Sequence, residues 1–288
     1  MLVALLDGTL HDPNQPLLQP DDLGVLRGDG IFETLLAIDG RPRELDAHLA
    51  RLTRSAEMLE LPEPDHHAWR RATRAVLDGA GPGEWVLRFI LTRGVERLAA
   101  AGPTSYVTCS PVPEWIHRAR RDGIRVTSMT RGTDAELAPK APWLLLGAKT
   151  LSYAMNMAAL REAARRGADD AIFVSEDGGV LEAPTATVVA AGPGPQRLRT
   201  PPATGILAGT TQRALFRAAD AAGWRTAVEQ LTLADLHAAD AVWLLSSVRL
   251  AAPVVALDGL PLSRAVATET VLDLLAAGDR MRSWPWQG

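Results

Sequence analysis

Apolar and polar residues in the first third of the chain alternate between strand-like and helical patterns. Leu2 to Leu6 and Ile31 to Ile38 are apolar runs that predict strands, and Asp39-Gly40 after the second run is typical of a hairpin turn. Apolar residues then recur at helical spacing from Glu44 to Glu60, before Pro62. This segment is therefore predicted to be an amphipathic helix that ends near the proline.

Helical and strand-like segments are mixed along the whole chain. Helices are predicted over 65–77, 153–166, 209–223 and 263–276, and strands over 85–92, 106–110, 124–129, 171–175, 180–190, 241–245 and 254–257. The turn Glu176-Asp177-Gly178-Gly179 separates two of these strands and predicts a hairpin. The pattern favours a mixed α/β (α+β) fold.

The best position for a domain boundary is the stretch that begins at Pro111-Val-Pro-Glu and ends at Asp122-Gly123. A chain of 288 residues fits two domains of ordinary size. We predict a smaller N-terminal α/β domain over 1–115, a linker over 116–123 and a larger C-terminal domain over 124–288.

Composition narrows the class of protein. The chain has 30 basic and 34 acidic residues and a formal net charge of −4, which argues against a nucleic-acid partner. No apolar run approaches the ~20 residues needed to cross a bilayer, and Met1 to Gly8 does not have the pattern of a secretory signal. We expect a cytoplasmic protein with no membrane partner.

The numbers and spacing of cysteines and other potential metal ligands argue against disulfide bonds and metal sites. Cys109 is the one cysteine, so an intramolecular disulfide and a multi-cysteine zinc site are excluded. Asp29, Glu33 and His48 lie near one another in the sequence without metal-ligand spacing, and we expect no metal site.

Lysine is almost absent from the chain. Only Lys140 and Lys149 are lysines among the 30 basic residues. A desolvated lysine can lose its proton and form a Schiff base with an aldehyde, whereas arginine stays protonated. Lys140 lies between prolines and is predicted to be an exposed loop residue. Lys149 follows the apolar run Trp143 to Ala148, which would place its amine near apolar walls, so Lys149 is the candidate for amine chemistry.

An aldehyde cofactor such as pyridoxal phosphate also needs a phosphate site and a partner for its ring nitrogen. Gly209-Thr210-Thr211 opens a predicted helix and offers N–H groups and hydroxyls to a phosphate, although a threonine there can also be a simple helix cap. Arg51 is either a phosphate ligand or a solvated helix residue. Glu182 lies in an apolar strand and either binds a pyridinium N–H or faces solvent. Ser246-Ser247 ends another strand and could add hydroxyls.

Several motifs occur together in one order. They are Arg27-Gly28-Asp29-Gly30-Ile31-Phe32-Glu33-Thr34, Ala47-His48-Leu49-Ala50-Arg51-Leu52, Lys149-Thr150-Leu151-Ser152-Tyr153 with Asn156, Gly167-Ala168-Asp169-Asp170-Ala171, and Val180-Leu181-Glu182. As a set they resemble the fold-type IV pyridoxal-phosphate enzymes, which include branched-chain and D-amino-acid aminotransferases and aminodeoxychorismate lyase. The resemblance extends from about Leu6 to about Gly259.

The resemblance implies a role for each candidate residue. Lys149 would bind the cofactor aldehyde and act in catalysis, and Glu182 would bind the ring nitrogen. The remaining cofactor contacts would come from Arg51, Leu207, Thr210, Thr211, Ser246 and Ser247, with Leu207 packed on the ring face and the others at the phosphate. The resemblance also implies a site in the cleft between two domains and a homodimer in which the loop from Arg93 to Gly102 of one subunit closes the other subunit's site.

Two departures from the family pattern, and one further position, bear on the substrate. The family usually has Leu-Pro-Gly-Ile-Thr-Arg where this chain has Leu-Ala-Gly-Thr-Thr-Gln over 207–212, and often has Ser-Asn where Ala186-Thr187 stand. Phe32 occupies a position where D-amino-acid aminotransferases tend to carry tyrosine, so a hydroxyl is missing.

Three functions remain open at this stage. The run from Arg27 to Thr34 most resembles aminodeoxychorismate lyases, which implies conversion of 4-amino-4-deoxychorismate to 4-aminobenzoate and pyruvate. The leading alternative is an aminotransferase for D-amino or branched-chain amino acids, and either enzyme takes a small amino-acid-like substrate. The third possible function is storage of the cofactor without catalysis. Storage would need Lys149 but not a carboxylate at the ring nitrogen, so the presence of both Lys149 and Glu182 argues against it.

Overall fold

The computed structural model describes residues 1–97, 102–132 and 137–280. The chain forms two compact units. The first unit comprises Met1–Pro113 together with Ala148–Tyr153, which we call the lysine segment, and the second comprises the described residues from Glu114 to Gly147 and from Ala154 onward.

This division differs from the predicted domains in two respects. Lys149 belongs to the first unit, although the sequence placed it in the C-terminal domain. The predicted linker over 116–123 is for the most part the helix Glu114–Asp122. Ile116 and Ala119 lie one helical turn apart and are both buried, so this short helix has an apolar face. The neighbouring prolines and the many charged residues made this face difficult to recognise in the sequence.

Within its described residues, the first unit has six strands and three helices. The elements are β1 (Leu2–Leu5), β2 (Leu10–His11), α1 (Leu23–Arg27), β3 (Gly30–Ile38), β4 (Arg41–Pro42), α2 (Leu45–Met58), α3 (His66–Ala80), β5 (Glu84–Thr92) and β6 (Thr104–Pro111). The sheet has the order β2-β1-β6-β5-β3-β4 and every pair is antiparallel. Asp39 and Gly40 join β3 to β4 with φ of 47° and 76°, as a tight hairpin turn requires.

Helices α2 and α3 pack on this sheet, α2 against β3 and α3 against β1 and β6. Leu49 and Leu52 on α2 and Trp69 on α3 are almost fully buried. The Trp69 ring stacks on Phe89 of β5, with ring centroids 5.1 Å apart. The helical spacing read from the sequence therefore fixes which side of α2 meets the sheet.

The second unit contains a larger, mixed sheet. Its elements are α4 (Glu114–Asp122), β7 (Ile124–Thr130), α5 (Leu137–Lys140), a 3₁₀ turn (Pro142–Leu144), α6 (Ala154–Arg165), β8 (Asp170–Val174), β9 (Thr187–Ala191), β10 (Arg197–Thr200), α7 (Thr210–Ala221), β11 (Arg225–Val228), α8 (Leu233–His237), β12 (Ala241–Ser246), β13 (Leu250–Leu257), β14 (Leu260–Pro261) and α9 (Thr268–Arg280). The strand order is β11-β10-β9-β12-β13-β7-β8, with β14 paired to β13. The pairs β10–β11, β13–β7 and β7–β8 are parallel, and the other pairs are antiparallel.

Both faces of this sheet are covered. One apolar cluster includes Val188, Leu244 and Val254, and another includes Trp243 and Leu215 of α7. Strands buried on two sides read as continuous apolar runs, which is the pattern of β12. The mixed α/β architecture predicted from the sequence is confirmed. No helix in the described ranges is long and apolar enough to span a membrane.

The predicted strand over 180–190 is interrupted. Glu182 O accepts from Phe173 N at 2.8 Å, so the hairpin with β8 continues as far as Glu182. A turn closed by a bridge between Ala183 and Ala186 follows, and β9 begins only at Thr187. Pro184 cannot donate a backbone hydrogen bond, which explains why the ladder stops there. Glu182 therefore lies at the end of the hairpin and not inside a long strand.

Candidate active site

The main chain of Lys149 is held on the edge of β3. Phe32 N donates to Lys149 O at 3.0 Å, and Leu151 N donates to Gly30 O at 2.8 Å. The Lys149 amide donates to Ser55 Oγ on α2 at 3.1 Å. The lysine segment is thus attached to both a strand and a helix of the first unit.

Two glycines permit this attachment. Gly28 has a φ of +67°, and a Cβ there would come within 2.6 Å of Ser152 Oγ. A Cβ on Gly30 would lie 2.7 Å from Leu91 O. Since a side chain at either position would displace the lysine segment or the neighbouring strand, the close approach accounts for both glycines of the Arg-Gly-Asp-Gly motif.

The amine of Lys149 lies among aromatic rings. Its Nζ is 4.4 Å from the centroid of Phe32 and 5.6 Å from that of Tyr153, and the two rings meet edge to face at 5.2 Å. In the apolar run before the lysine, the Trp143 side chain is 75% exposed. Lys140 ends α5 and is exposed, in agreement with its prediction as a surface residue.

Arg51 belongs to a buried charged cluster formed by Glu33, His48 and Arg51. Glu33 accepts from Arg51 Nε and Nη2, each at 2.7 Å, and lies 2.7 Å from His48 Nδ1. All three side chains are almost fully buried, so Arg51 is not a solvated helix residue. Glu33 takes two of the five N–H donors that a guanidinium carries.

The cluster shifts the ionisation of two of its members. Burial alone would raise the pKa of Glu33, but the cation of Arg51 and the contact with His48 hold that pKa well below its usual range. Burial lowers the pKa of His48, and Arg51 and Lys149 lower it further, against the opposing effect of Glu33. His48 is therefore neutral near pH 7, and Glu33 is charged.

Sequence reasoning named Glu33, His48 and Arg51 but did not predict that they pair with one another, and it missed Ser55. The available signal was a carboxylate in the apolar strand β3, followed by a helix that presents His48 and Arg51 three residues apart on one face. Ser55 continues the same face one turn later. These residues are polar, yet they lie on the buried side of an amphipathic helix.

In the second unit, the Glu182 carboxylate has two well-defined partners. Leu207 N donates to Glu182 Oε2 at 3.1 Å. Arg131 Nη1 lies 3.5 Å from Glu182 Oε1 and donates to Gly205 O at 2.7 Å. The carboxylate is about 16% exposed and is paired with a cation. Arg131 follows β7 directly, and no motif in the sequence singled it out.

Thr210 and Thr211 are the first residues of α7 and are buried. The residue that caps the helix is Gly209, so the interpretation of a threonine cap is wrong. Thr210 Oγ1 lies 3.4 Å from Ser247 Oγ in the turn after β12. A Cβ on Gly209 would come within 2.4 Å of Thr187 Oγ1, so the backbone at Gly209 lies against the Thr187 side chain.

The turn that follows β12, Ser247 to Arg249, is held by two arginines that the sequence did not point to, buried Arg249 and partly buried Arg120. Arg249 Nη1 pairs with Asp170 Oδ2 at 2.7 Å, and both side chains are buried. Arg120 Nη2 donates to Val248 O at 2.6 Å. This support determines where Ser247 lies.

The structure therefore gathers the predicted site residues in two sets. The first set, in the first unit, is Arg51 and Lys149, and the second set, in the second unit, is Glu182, Leu207, Thr210, Thr211, Ser246 and Ser247. Among the residues that the structure describes, no group of three or more His, Cys, Asp or Glu side chains is arranged to hold a metal ion. Of the loop expected to close a partner's site, residues 98–101 lie outside the described residues. Arg93, at its start, pairs with Asp29 at 2.7 Å.

Comparison with known proteins gives consistent matches. The sequence profile described as amino-transferase class IV matches residues 30–257. A bifunctional aminodeoxychorismate lyase / D-amino acid transaminase of Mycobacterium tuberculosis is 47% identical, over 96% of this chain and 98% of that protein. The solved PLP-bound form of a hypothetical aminotransferase from M. tuberculosis is 48% identical with a TM-score of 0.93, covering 97% and 99% of the two chains. A fold IV-transaminase from Curtobacterium pusillum is 42% identical with a TM-score of 0.89, covering 98% and 99%.

Proposed function

Because this chain belongs to the class IV aminotransferase family, we propose that it is a lyase that converts 4-amino-4-deoxychorismate to 4-aminobenzoate and pyruvate. The observation that carries the proposal is the position of Phe32. Its ring lies 4.4 Å from Lys149 Nζ, where a tyrosine hydroxyl would offer a polar contact to a small amino acid. A flat apolar ring suits a substrate whose own ring becomes aromatic.

The residues present fit pyridoxal phosphate, the cofactor of this family. The first set provides an amine among aromatic rings. The second set provides a carboxylate and, at the start of α7, buried hydroxyls and N–H groups of the kind that bind phosphate. Gly209, directly before these groups, has no side chain and lies against Thr187, so only backbone stands at this position. We propose that the residues of both sets bind pyridoxal phosphate.

Each residue then has a defined task. When bound, pyridoxal phosphate withdraws electrons from the carbon that bears the substrate amine. Lys149 Nζ takes the proton from that carbon and supplies a proton as the enolpyruvyl group leaves. The Glu182 carboxylate, oriented by Arg131 and Leu207 N, holds a proton on the ring nitrogen. Arg51 and the hydroxyls of Thr210, Thr211, Ser246 and Ser247 anchor the phosphate, and Leu207 packs on the ring.

A second candidate, D-amino-acid transamination, is favoured by one observation. The M. tuberculosis relative at 47% identity is named as having both activities. The two activities begin with the same proton transfer to Lys149 and differ afterwards. A transaminase needs a keto acid as second substrate, whereas the lyase products contain together all the atoms of its one substrate.

Product analysis separates the two functions. Purified protein with pyridoxal phosphate is incubated with 4-amino-4-deoxychorismate, and in parallel with D- or L-amino acids plus a keto acid. We expect 4-aminobenzoate and pyruvate in equal amounts without any keto acid. Amino-group transfer from a D-amino acid, with no 4-aminobenzoate from the chorismate derivative, would leave transamination as the function.

The role of Lys149 has its own test. Borohydride reduction of the cofactor-loaded protein, followed by peptide mapping, should place the pyridoxyl mass on the peptide that contains Lys149. Labelling at Lys140, or no labelling, would remove the basis of the assignment. The chain carries only these two lysines, so the map has a built-in internal comparison.

We also propose that the protein is a cytoplasmic homodimer. In support, α6 leaves the apolar side chains of Met155 and Met157 51% and 45% exposed. Large apolar side chains exposed together are typical of surfaces that bind another protein. Light scattering after size-exclusion chromatography should give about twice the chain mass of 30.8 kDa, and a monomer would contradict the proposal.

A further inference from the structure

Ser55 contacts the main chain of the candidate catalytic lysine. Its Oγ accepts from the Lys149 amide at 3.1 Å, across 94 residues of sequence. Ser55 is only 2% exposed. An amide that points at a buried side chain and loses its acceptor carries a cost of desolvation, so this contact matters for where the partly buried lysine main chain lies.

Ser55 shares a helix face with the charged cluster. His48, Arg51 and Ser55 are spaced by three and four residues on α2, so their side chains project in one direction. The helix that carries Arg51 therefore also holds the main chain of Lys149. A rigid helix fixes the distance between these two points more firmly than a loop would.

We infer that Ser55 is a positioning residue that sets the location of Lys149 relative to Arg51. The inference rests on the proposed function in taking Lys149 as the cofactor lysine and Arg51 as a phosphate ligand. The separation of the phosphate and the aldehyde in pyridoxal phosphate is fixed by its covalent structure. The lysine and the phosphate ligand must keep a matching separation, and the Ser55 hydroxyl ties them to one helix.

Three variants test this role. Ser55→Ala removes the acceptor, and Ser55→Thr keeps a hydroxyl at the same position. Thr73→Val is the matched control, because Thr73 is another fully buried hydroxyl in a helix of the first unit and donates to Trp69 O at 2.7 Å, away from the lysine segment. If Ser55→Ala does not fold, Ser55→Cys replaces it with a weaker acceptor of similar size.

The first readout is hydrogen exchange of the Lys149 amide in protein without cofactor. We expect exchange about five- to tenfold faster in Ser55→Ala, as expected for loss of one hydrogen bond, and wild-type exchange in Ser55→Thr and Thr73→Val. An unchanged rate in folded Ser55→Ala, or in Ser55→Cys, would overturn the contact itself. This readout does not depend on the proposed function.

The second readout is the rate at which added pyridoxal phosphate becomes trapped on Lys149 by borohydride. We expect trapping several-fold slower in Ser55→Ala, restored in Ser55→Thr and unchanged in Thr73→Val. Faster amide exchange with wild-type trapping would show that the contact does not position the amine, and would overturn the inference. No pyridoxyl mass in the wild type would instead contradict the proposed function, whatever the exchange result.

Discussion

Each unit buries an arginine against a carboxylate, and the two pairs have different surroundings. In the first unit, Glu33 gives both carboxylate oxygens to side chains, those of Arg51 and His48. In the second unit, Asp170 accepts from Arg249 through Oδ2 and from Ala171 N through Oδ1, both at 2.7–2.8 Å. One carboxylate is surrounded by titratable and charged groups, and the other is divided between a cation and the backbone.

The difference separates a pair that belongs to the candidate site from a pair that supports it. Arg51 lies on the helix face that also contacts Lys149, so a bound phosphate would add negative charge beside an existing pair. Arg249 lies two residues after Ser247 and determines the path of the turn. The pair in the second unit thus holds a turn in place, whereas under the proposed function the arginine of the first pair would also bind the cofactor phosphate.

The largest expected effects come from neutralising each carboxylate. Glu33→Gln and Asp170→Asn each leave a buried arginine without its counter-ion, and we expect each to reduce the free energy of unfolding by about 3–5 kcal/mol. Saturating pyridoxal phosphate should recover more stability in Glu33→Gln than it adds to the wild type, because its phosphate replaces the lost charge beside Arg51. In Asp170→Asn the cofactor should add only the wild-type increment.

Denaturation midpoints measured with and without pyridoxal phosphate test this contrast. Wild-type protein supplies the reference increment. Equal cofactor increments in Glu33→Gln and Asp170→Asn would show that the phosphate does not lie beside Arg51.

A smaller effect is expected where the second set relies on close packing and not on charge. Gly209→Ala would place a Cβ 2.4 Å from Thr187 Oγ1 and displace the start of α7. We expect cofactor binding to weaken by about 1–3 kcal/mol, as is typical of overpacking. Titration of apoprotein with pyridoxal phosphate measures the change. Adding Thr187→Ala to Gly209→Ala should restore much of the affinity, and failure to do so would exclude the steric explanation.

The charged cluster should make the first unit sensitive to mild acid. The pKa of His48 is lowered in the fold, so the unfolded chain binds a proton that the folded chain excludes as pH falls below about 6.5. The contribution of His48 to the free energy of unfolding is therefore fully present above that pH. Below it, the free energy of unfolding decreases by at most about 1.4 kcal/mol per pH unit. The lowered pKa of Glu33 adds a further loss below about pH 4.5.

His48→Asn tests whether His48 causes the loss of stability that begins below about pH 6.5. Unfolding midpoints between pH 8 and pH 5 should fall less in His48→Asn than in the wild type. The same fall should persist in Asp170→Asn, whose lost pair lies in the other unit. A steep fall retained in His48→Asn would assign the proton to another group.

The smallest effect is expected at Cys109, which serves as a reporter of the first unit. Its side chain is buried in β6, and burial raises its pKa to about 11. We expect the native wild-type thiol to remain almost unreactive towards a disulfide reagent at pH 8. The reaction should accelerate in Glu33→Gln, which destabilises the unit that contains Cys109, and stay slow in Asp170→Asn. The signal reports on Cys109 alone because the chain has no other cysteine. Comparable acceleration in both variants would show that the two pairs do not stabilise separate units.

Regular patterns in the sequence predicted much of the fold. The helices over 44–60 and 65–77 and the neighbouring strands over 85–92 and 106–110 are observed as α2, α3, β5 and β6. The strand over 180–190 failed because an apolar run does not reveal where a proline ends the hydrogen-bond ladder. The stretch predicted as a linker over 116–123 contains most of α4, whose apolar face is marked by only two buried residues.

The sequence by itself determined which residues are candidates for the chemistry, and the tertiary structure decided which groups surround them. Scarcity of lysine selected Lys149, and the motifs selected Arg51 and Glu182, because composition and short spacing record the choice of functional group. The partners Ser55 of Lys149 and Asp170 of Arg249 are 94 and 79 residues distant. Periodicity reports only whether a position is buried, whereas a hydrogen-bond partner is fixed by the path of the folded chain.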